Sequence, residues 1–355
     1  MRRQSTLLLC SVLCSAATLT QAAPPQYRIT PIIVPGQSNI NIGGLNNEGV
    51  VSLTAYDSNN ASHISLWHAG TVHDLGVPPF PGVSSFTVSD INDRNDVIGS
   101  TFSATSPPHG FIWRNGQFED IGHPAGASYS LTLTGINSRD QIIGYAAIDS
   151  ETVESFLWEE GHFNVLPELQ GGQPNNGPGG TSTYDINGAG VVVGESGSAP
   201  DDLPEPTMWH NGIISRLPLP PNGQSGQANA INSSNHIIGY ANAYTDGTPG
   251  HPVESLFWHD GVVTVLEVPS DSQQATPFGI NDSDQLVGVT SNGYAVLWQD
   301  GIPYNLNNLI RNNDPNKPYV TLSFAFRINN PGQILAAGSD SRTGVSGYFL
   351  LTPQN

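Results

Sequence analysis

One segment constrains this chain more than any other, because it occurs seven times. Asp90-Ile91-Asn92-Asp93-Arg94-Asn95-Asp96-Val97-Ile98-Gly99 recurs from Gly135-Ile136-Asn137, Asp185-Ile186-Asn187, Ala230-Ile231-Asn232 and Gly279-Ile280-Asn281, with weaker first and last copies at Leu45-Asn46 and Ile328-Asn329. The asparagines Asn46, Asn92, Asn137, Asn187, Asn232, Asn281 and Asn329 stand 45 to 50 residues apart, which leaves no gap for a second domain. A unit this short cannot bury an apolar face alone, so the copies must stack on one another.

All six tryptophans fall in a second recurring element, Trp-x-x-Gly, at Trp67, Trp113, Trp158, Trp209, Trp258 and Trp298; the seventh copy has Leu351 instead. Each repeat holds four short runs of strand character, which in the second copy are expected over 84–91, 97–102, 110–113 and 117–121. Asparagine and glycine tolerate positive φ, so Asn-x-x-x and Trp-Arg-Asn-Gly read as the hairpin turns between them. Seven such units predict an all-β chain, a seven-bladed β-propeller with four antiparallel strands per blade. The last repeat ends after its third strand, while Tyr27-Arg28-Ile29-Thr30-Pro31-Ile32 resembles a fourth strand such as Val72-His73-Asp74-Leu75. The N-terminal strand is therefore predicted to complete the last blade. That order makes the first strand of each repeat innermost, and Gly44, Gly135, Ala230 and Gly279 just before the repeated pair suit a crowded axis.

Arg2 and Arg3, the apolar stretch Leu7 to Leu19 and the small residues Ala22 and Ala23 read as a signal peptide over 1–22, removed on secretion. The expected location is extracellular or periplasmic. Cys10 and Cys14 both lie in that segment, so the mature chain carries no disulfide. Removing Arg2 and Arg3 from 11 basic residues leaves 9 against 30 acidic ones, a net charge of −21. With Lys317 the single lysine, nucleic acid is disfavoured as a partner, and so are anionic membrane surfaces. No other apolar run reaches the roughly 20 residues of a membrane span. A monomer is expected.

With these motifs the chain resembles the HAF-repeat family of probable extracellular bacterial proteins. The nearest copy of the naming sequence is His109-Gly110-Phe111-Ile112-Trp113, and Ile-Asn-x-x-x-x-Val-Ile-Gly matches around it. The resemblance spans all seven repeats and implies architecture, with no activity and no catalytic residues attached. The histidine position holds His63, His109, Glu154, Glu205, Glu254, Tyr294 and Gly347, so it is not uniform here.

Those side chains begin third strands in different blades, two strand spacings of about 4.8 Å outside the innermost one, too dispersed for a metal. Calcium is the one cofactor the pattern suggests, at Asp90-x-Asn92-x-x-Asn95-Asp96 and, more weakly, Asn281-Asp282-Ser283-Asp284. Arg94 interrupts the alternating ligands of the first, and the turns after Asn187 and Asn232 hold no carboxylate. Plain asparagine turns explain all seven copies, so no cofactor is expected.

Long, variable connections follow second strands and join blades, and both sets emerge on one face. Variable loops on a constant scaffold are where a site is expected. The ligand-binding candidates on that long-loop face are Phe80, Tyr129, Asp201, Asp202, Glu205, Tyr244 and Glu254, with no catalytic assignment. The chain has no Gly-x-Ser-x-Gly and no mature cysteine. The expectation is a secreted binding scaffold for a glycan, peptide or surface partner. A propeller glycosidase or lyase using loop carboxylates such as Asp202 and Glu254, and a structural matrix component, are the alternatives.

Overall fold

The computed structural model describes residues 24–37, 39–59, 61–103, 107–127, 130–148, 153–169, 180–198, 203–243 and 253–354; the predicted signal segment 1–22 lies outside the described residues. Seven four-stranded antiparallel sheets form a propeller. In the second blade the strands are Ser85–Ile91, Val97–Phe102, Gly110–Arg114 and Gln117–Gly122, within a residue of the predicted bounds. The hairpin turns use the expected backbone: Asn95 (φ 64°), Asn115 (φ 52°) and Gly116 (φ 80°) are left-handed.

The core lies between blades. In five blades the tryptophan packs on the preceding blade, against the aliphatic second residue of that blade's second strand. Trp158 clusters with Ile98, Trp209 with Ile143, Trp258 with Val193, Trp298 with Ile238 and Trp67 with Leu335. Three of these indoles also donate Nε1–H to a carbonyl of the preceding blade, Trp209 to Pro167, Trp258 to Pro218 and Trp298 to Glu267 (2.6–2.8 Å). Apolar burial and a hydrogen bond thus act on one joint.

The repeated asparagines form a closed ring. Each donates Nδ2–H to the backbone carbonyl of the next: Asn46 to Asn92, Asn92 to Asn137, Asn137 to Asn187, Asn187 to Asn232, Asn232 to Asn281, Asn281 to Asn329, and Asn329 back to Asn46, at 2.9–3.3 Å. Each Oδ1 also accepts from its own turn, from two backbone N–H groups in six copies and from Gln333 N–H alone in Asn329; Asn187, for example, accepts from Ala189 and Val191 (3.0 and 3.1 Å). One side chain therefore shapes the turn and joins it to the neighbour. Only an amide offers donor and acceptor at that reach, which explains why the position never varies.

Ring closure follows the predicted route. Gln26–Pro31 pairs antiparallel with Val345–Gln354, with Tyr27 opposite Pro353 and Ile29 opposite Leu351, and so completes the sheet of Val320–Ile328 and Ile334–Asp340. Tyr27 and Ile29 are buried in the largest core cluster. The outer edge of this strand is covered: Asp314 accepts from Ile29 N–H (2.9 Å), Arg311 N–H donates to the Tyr27 carbonyl (3.0 Å) and Asn316 Nδ2–H to the Ile29 carbonyl (3.2 Å). A strand held on both edges cannot recruit a foreign one.

Candidate functional site

The innermost strands end at a position that varies sharply although its neighbours do not. Just before the Ile-Asn or Leu-Asn pair stand Gly44, Asp90, Gly135, Asp185, Ala230, Gly279 and Arg327. In every blade the register slips just ahead of this position, between Val88 and Asp90, Thr183 and Asp185, or Ala325 and Arg327, for instance. Such bulges re-aim side chains. Here they turn this position into an axial funnel of about 340 Å³ that opens on the short-turn face, opposite the long loops. The predicted crowding is therefore local: a Cβ on Gly44 would collide with Asp90 Oδ1, yet the axis as a whole stays open.

Five charged residues line the funnel: Asp90, Asp185 and Arg327 within it, and Asp93 and Asp282 at its mouth. Asp90 Oδ2 accepts from Ile136 N–H (3.2 Å), and Asp185 accepts from Ile231 N–H (Oδ2, 2.9 Å) and from Ile186 N–H (Oδ1, 2.8 Å). Each acid thus ties its blade to the next at the axis. Burial raises Asp90 to about 6, opposed by the Arg327 charge and the backbone donors, and raises Asp185 in the same direction. Arg327 makes one hydrogen bond, Nη1–H to the Phe326 carbonyl (3.2 Å), and no ion pair among the described residues. Its remaining donors face a funnel whose carboxylates are already engaged by backbone. At the mouth, Asp93 accepts from Asn47 (2.9 and 2.8 Å) and Asp282 accepts from Ser233 N–H (2.9 Å) and Asn330 Nδ2–H (2.7 Å). The rim is small, polar and cross-linked.

The seven loop-face candidates do not gather in what is described. Tyr129, Asp201, Asp202 and Tyr244 lie outside the described residues. Phe80 packs on the core between the first two blades. Glu205 pairs with Arg216 on the fourth strand of its own blade (2.9 Å). Glu254 keeps one carboxylate oxygen, Oε2, buried without a hydrogen-bond partner among the described residues. The histidine position has an intra-blade role: His63 Nδ1 meets Asp74 (3.1 Å), His109 Nδ1 meets Asp120 (2.9 Å) and the Tyr294 hydroxyl donates to Asp271. The suggested calcium turn is spent otherwise, since Asp90 faces the axis while Asp96 accepts from Asn92 and Arg94 (2.9 and 3.0 Å).

Sequence reasoning passed over Asp90, Asp185 and Arg327 as a set. The signal was present: four of the seven residues at that position are small, and the other three are all charged.

No protein-family model and no curated protein matches the chain. Solved structures do. The chain is similar to YCF48 from Cyanidioschyzon merolae (10% identity, TM-score 0.56, 92% of this chain and all of that one). It is similar to an oligogalacturonate lyase from Vibrio parahaemolyticus (9%, 0.54, 92% and 97%) and to a chain of a mitotic checkpoint complex (13%, 0.51, 99% of each). At such identities the likeness shows the fold alone: this is a seven-bladed β-propeller. Proteins of such different description on one scaffold carry no activity across.

Proposed function

We propose that the protein is a secreted binding scaffold that takes a polyhydroxyl group, such as a glycan end, into the axial funnel of its short-turn face. The observation that carries the reading is Arg327, a guanidinium with no ion pair among the described residues, beside two carboxylates that backbone amides already hold. Such a floor offers donors and acceptors side by side, as hydroxyl groups require. The backbone hydrogen bonds of Asp90 and Asp185 support binding over hydrolysis, because both acids are used in joining blades. The resemblance to HAF-repeat proteins belongs to the same proposal: His63 and His109 stand at the naming position, each with an aspartate partner on the neighbouring strand.

The test is a glycan array probed with the mature protein, with chromatography of the same glycans after incubation. The expected result is selective retention, lost in Arg327→Ala, with no shortened products. Turnover abolished by Asp202→Ala or Glu254→Ala would replace this reading with a loop-face hydrolase. Retention indifferent to Arg327 but lost on changing Tyr129 or Tyr244 would move the site to the long loops.

A further inference from the structure

The joint between the first and second blades differs from the other six. At the position of Ile98, Ile143, Val193, Ile238, Val287 and Leu335, the first blade has Ser52, whose Oγ accepts from Gly44 N–H (2.9 Å). Every other blade offers an aliphatic side chain there to the tryptophan, or in one case Leu351, of its neighbour. Ser52 is buried but offers no aliphatic surface, and the tryptophan concerned, Trp113, is only half-buried. The five others are at most 8% exposed. Beside Trp113 lies an open groove of about 520 Å³, with Leu66 and Val50 in its floor and His68, His73 and Asn95 around it.

A second observation is independent of exposure. Trp113 Nε1–H has no acceptor among the described residues, as holds for Trp67 and Trp158 too, whereas Trp209, Trp258 and Trp298 spend theirs on a carbonyl of the preceding blade. The His68 and His73 rings also lack hydrogen-bond partners among the described residues. A half-exposed indole and two imidazoles, none with a hydrogen-bond partner among the described residues, thus share one groove. No carboxylate, lysine or arginine lines it, in a chain of net charge −19. A cation would find no counter-charge there, and an anion no fixed positive partner.

We infer that the groove between blades 1 and 2 is a sugar-binding site, in which the apolar face of a neutral sugar ring stacks on Trp113 while its hydroxyls meet Trp113 Nε1–H, His68 and His73. An aromatic platform with a few convergent polar groups is the arrangement such a ligand needs. The groove opens beside the hairpin turns of the short-turn face, as the funnel does. The inference extends the glycan reading to a second, separate site.

The indole N–H signals of the ¹⁵N-labelled protein test it, titrated with cellotetraose, chitotetraose and mannotetraose. The signal that disappears in Trp113→Phe is expected to shift with at least one of these. His73→Ala, an exposed change that leaves the melting temperature alone, is expected to weaken that shift about tenfold. Arg327→Ala is expected to leave it intact, so this site stands or falls apart from the funnel. No movement of the Trp113 signal with any of the three sugars overturns the assignment. Movement with choline alone replaces the sugar by a cation, and loss of the shift in Arg327→Ala assigns the ligand to the funnel instead.

Discussion

The asparagine position and the position two residues before it sit almost side by side, yet they behave oppositely. Asparagine stands in all seven repeats because its amide makes the same joint seven times. Two residues earlier, glycine or alanine gives way three times to a charge, at Asp90, Asp185 and Arg327. Ser52 breaks the aliphatic series of the second strand in the same manner. The lesson is that the repeat encodes the joints between blades, while features available to a ligand arise where one copy departs from the rest.

The difference can be tested from its strongest element downward. Deleting residues 24–34 removes the strand that closes the ring, with Tyr27 and Ile29 buried at its centre. Cooperative thermal unfolding in calorimetry is expected to be lost, and a truncated protein melting like the full chain would refute the closure. Asn187→Ala removes the joint to Asn232 and leaves turn amides unsatisfied, at a cost of about 2 to 4 kcal/mol in urea unfolding. A change below about 0.5 kcal/mol would show the ring to be incidental.

Asp90 makes the interrupted position visible as a pH effect. Its folded pKa, about 6, exceeds the ordinary carboxyl value of 3.8, so the folded state holds this proton more tightly than the unfolded chain does. Its contribution is fully present below about pH 4 and is lost as pH rises through about 6. The difference in unfolding free energy between wild type and Asp90→Asn is therefore expected to move against wild type across that window, by a few kcal/mol at most. A flat difference would show that the Asp90 carboxyl is not desolvated at the axis. Trp209→Phe loses the bond to Pro167 while keeping most of the packing, and about 1 to 2 kcal/mol is expected. Glu205→Ala should be the mildest of these, about 0.5 kcal/mol, because its pair with Arg216 is partly solvated.

Much of the fold was legible in the sequence because propeller joints are local in the repeat. Spacing set the number of blades, the turn residues set the hairpins, and the missing fourth strand after Leu351 pointed to Tyr27–Ile32. The asparagine ring was not legible: the turn explained the residue adequately, and its bond to a carbonyl 45 to 50 residues away needs the blades already assembled. Loop length directed attention to the long-loop face, where Phe80 proves to serve the core and Glu205 an ion pair. The funnel and the Trp113 groove depend on which side chain a bulge turns inward and on one missing aliphatic group. Both are departures from a pattern, and a search for the pattern passes over them.

The most direct test is a crystal structure of the mature protein soaked in a neutral oligosaccharide. The account predicts density on the short-turn face, at Arg327 in the funnel or over Trp113 between the first two blades. Density confined to the opposite face, among the connections between blades at 78–83, 220–226 and 269–276, would contradict it.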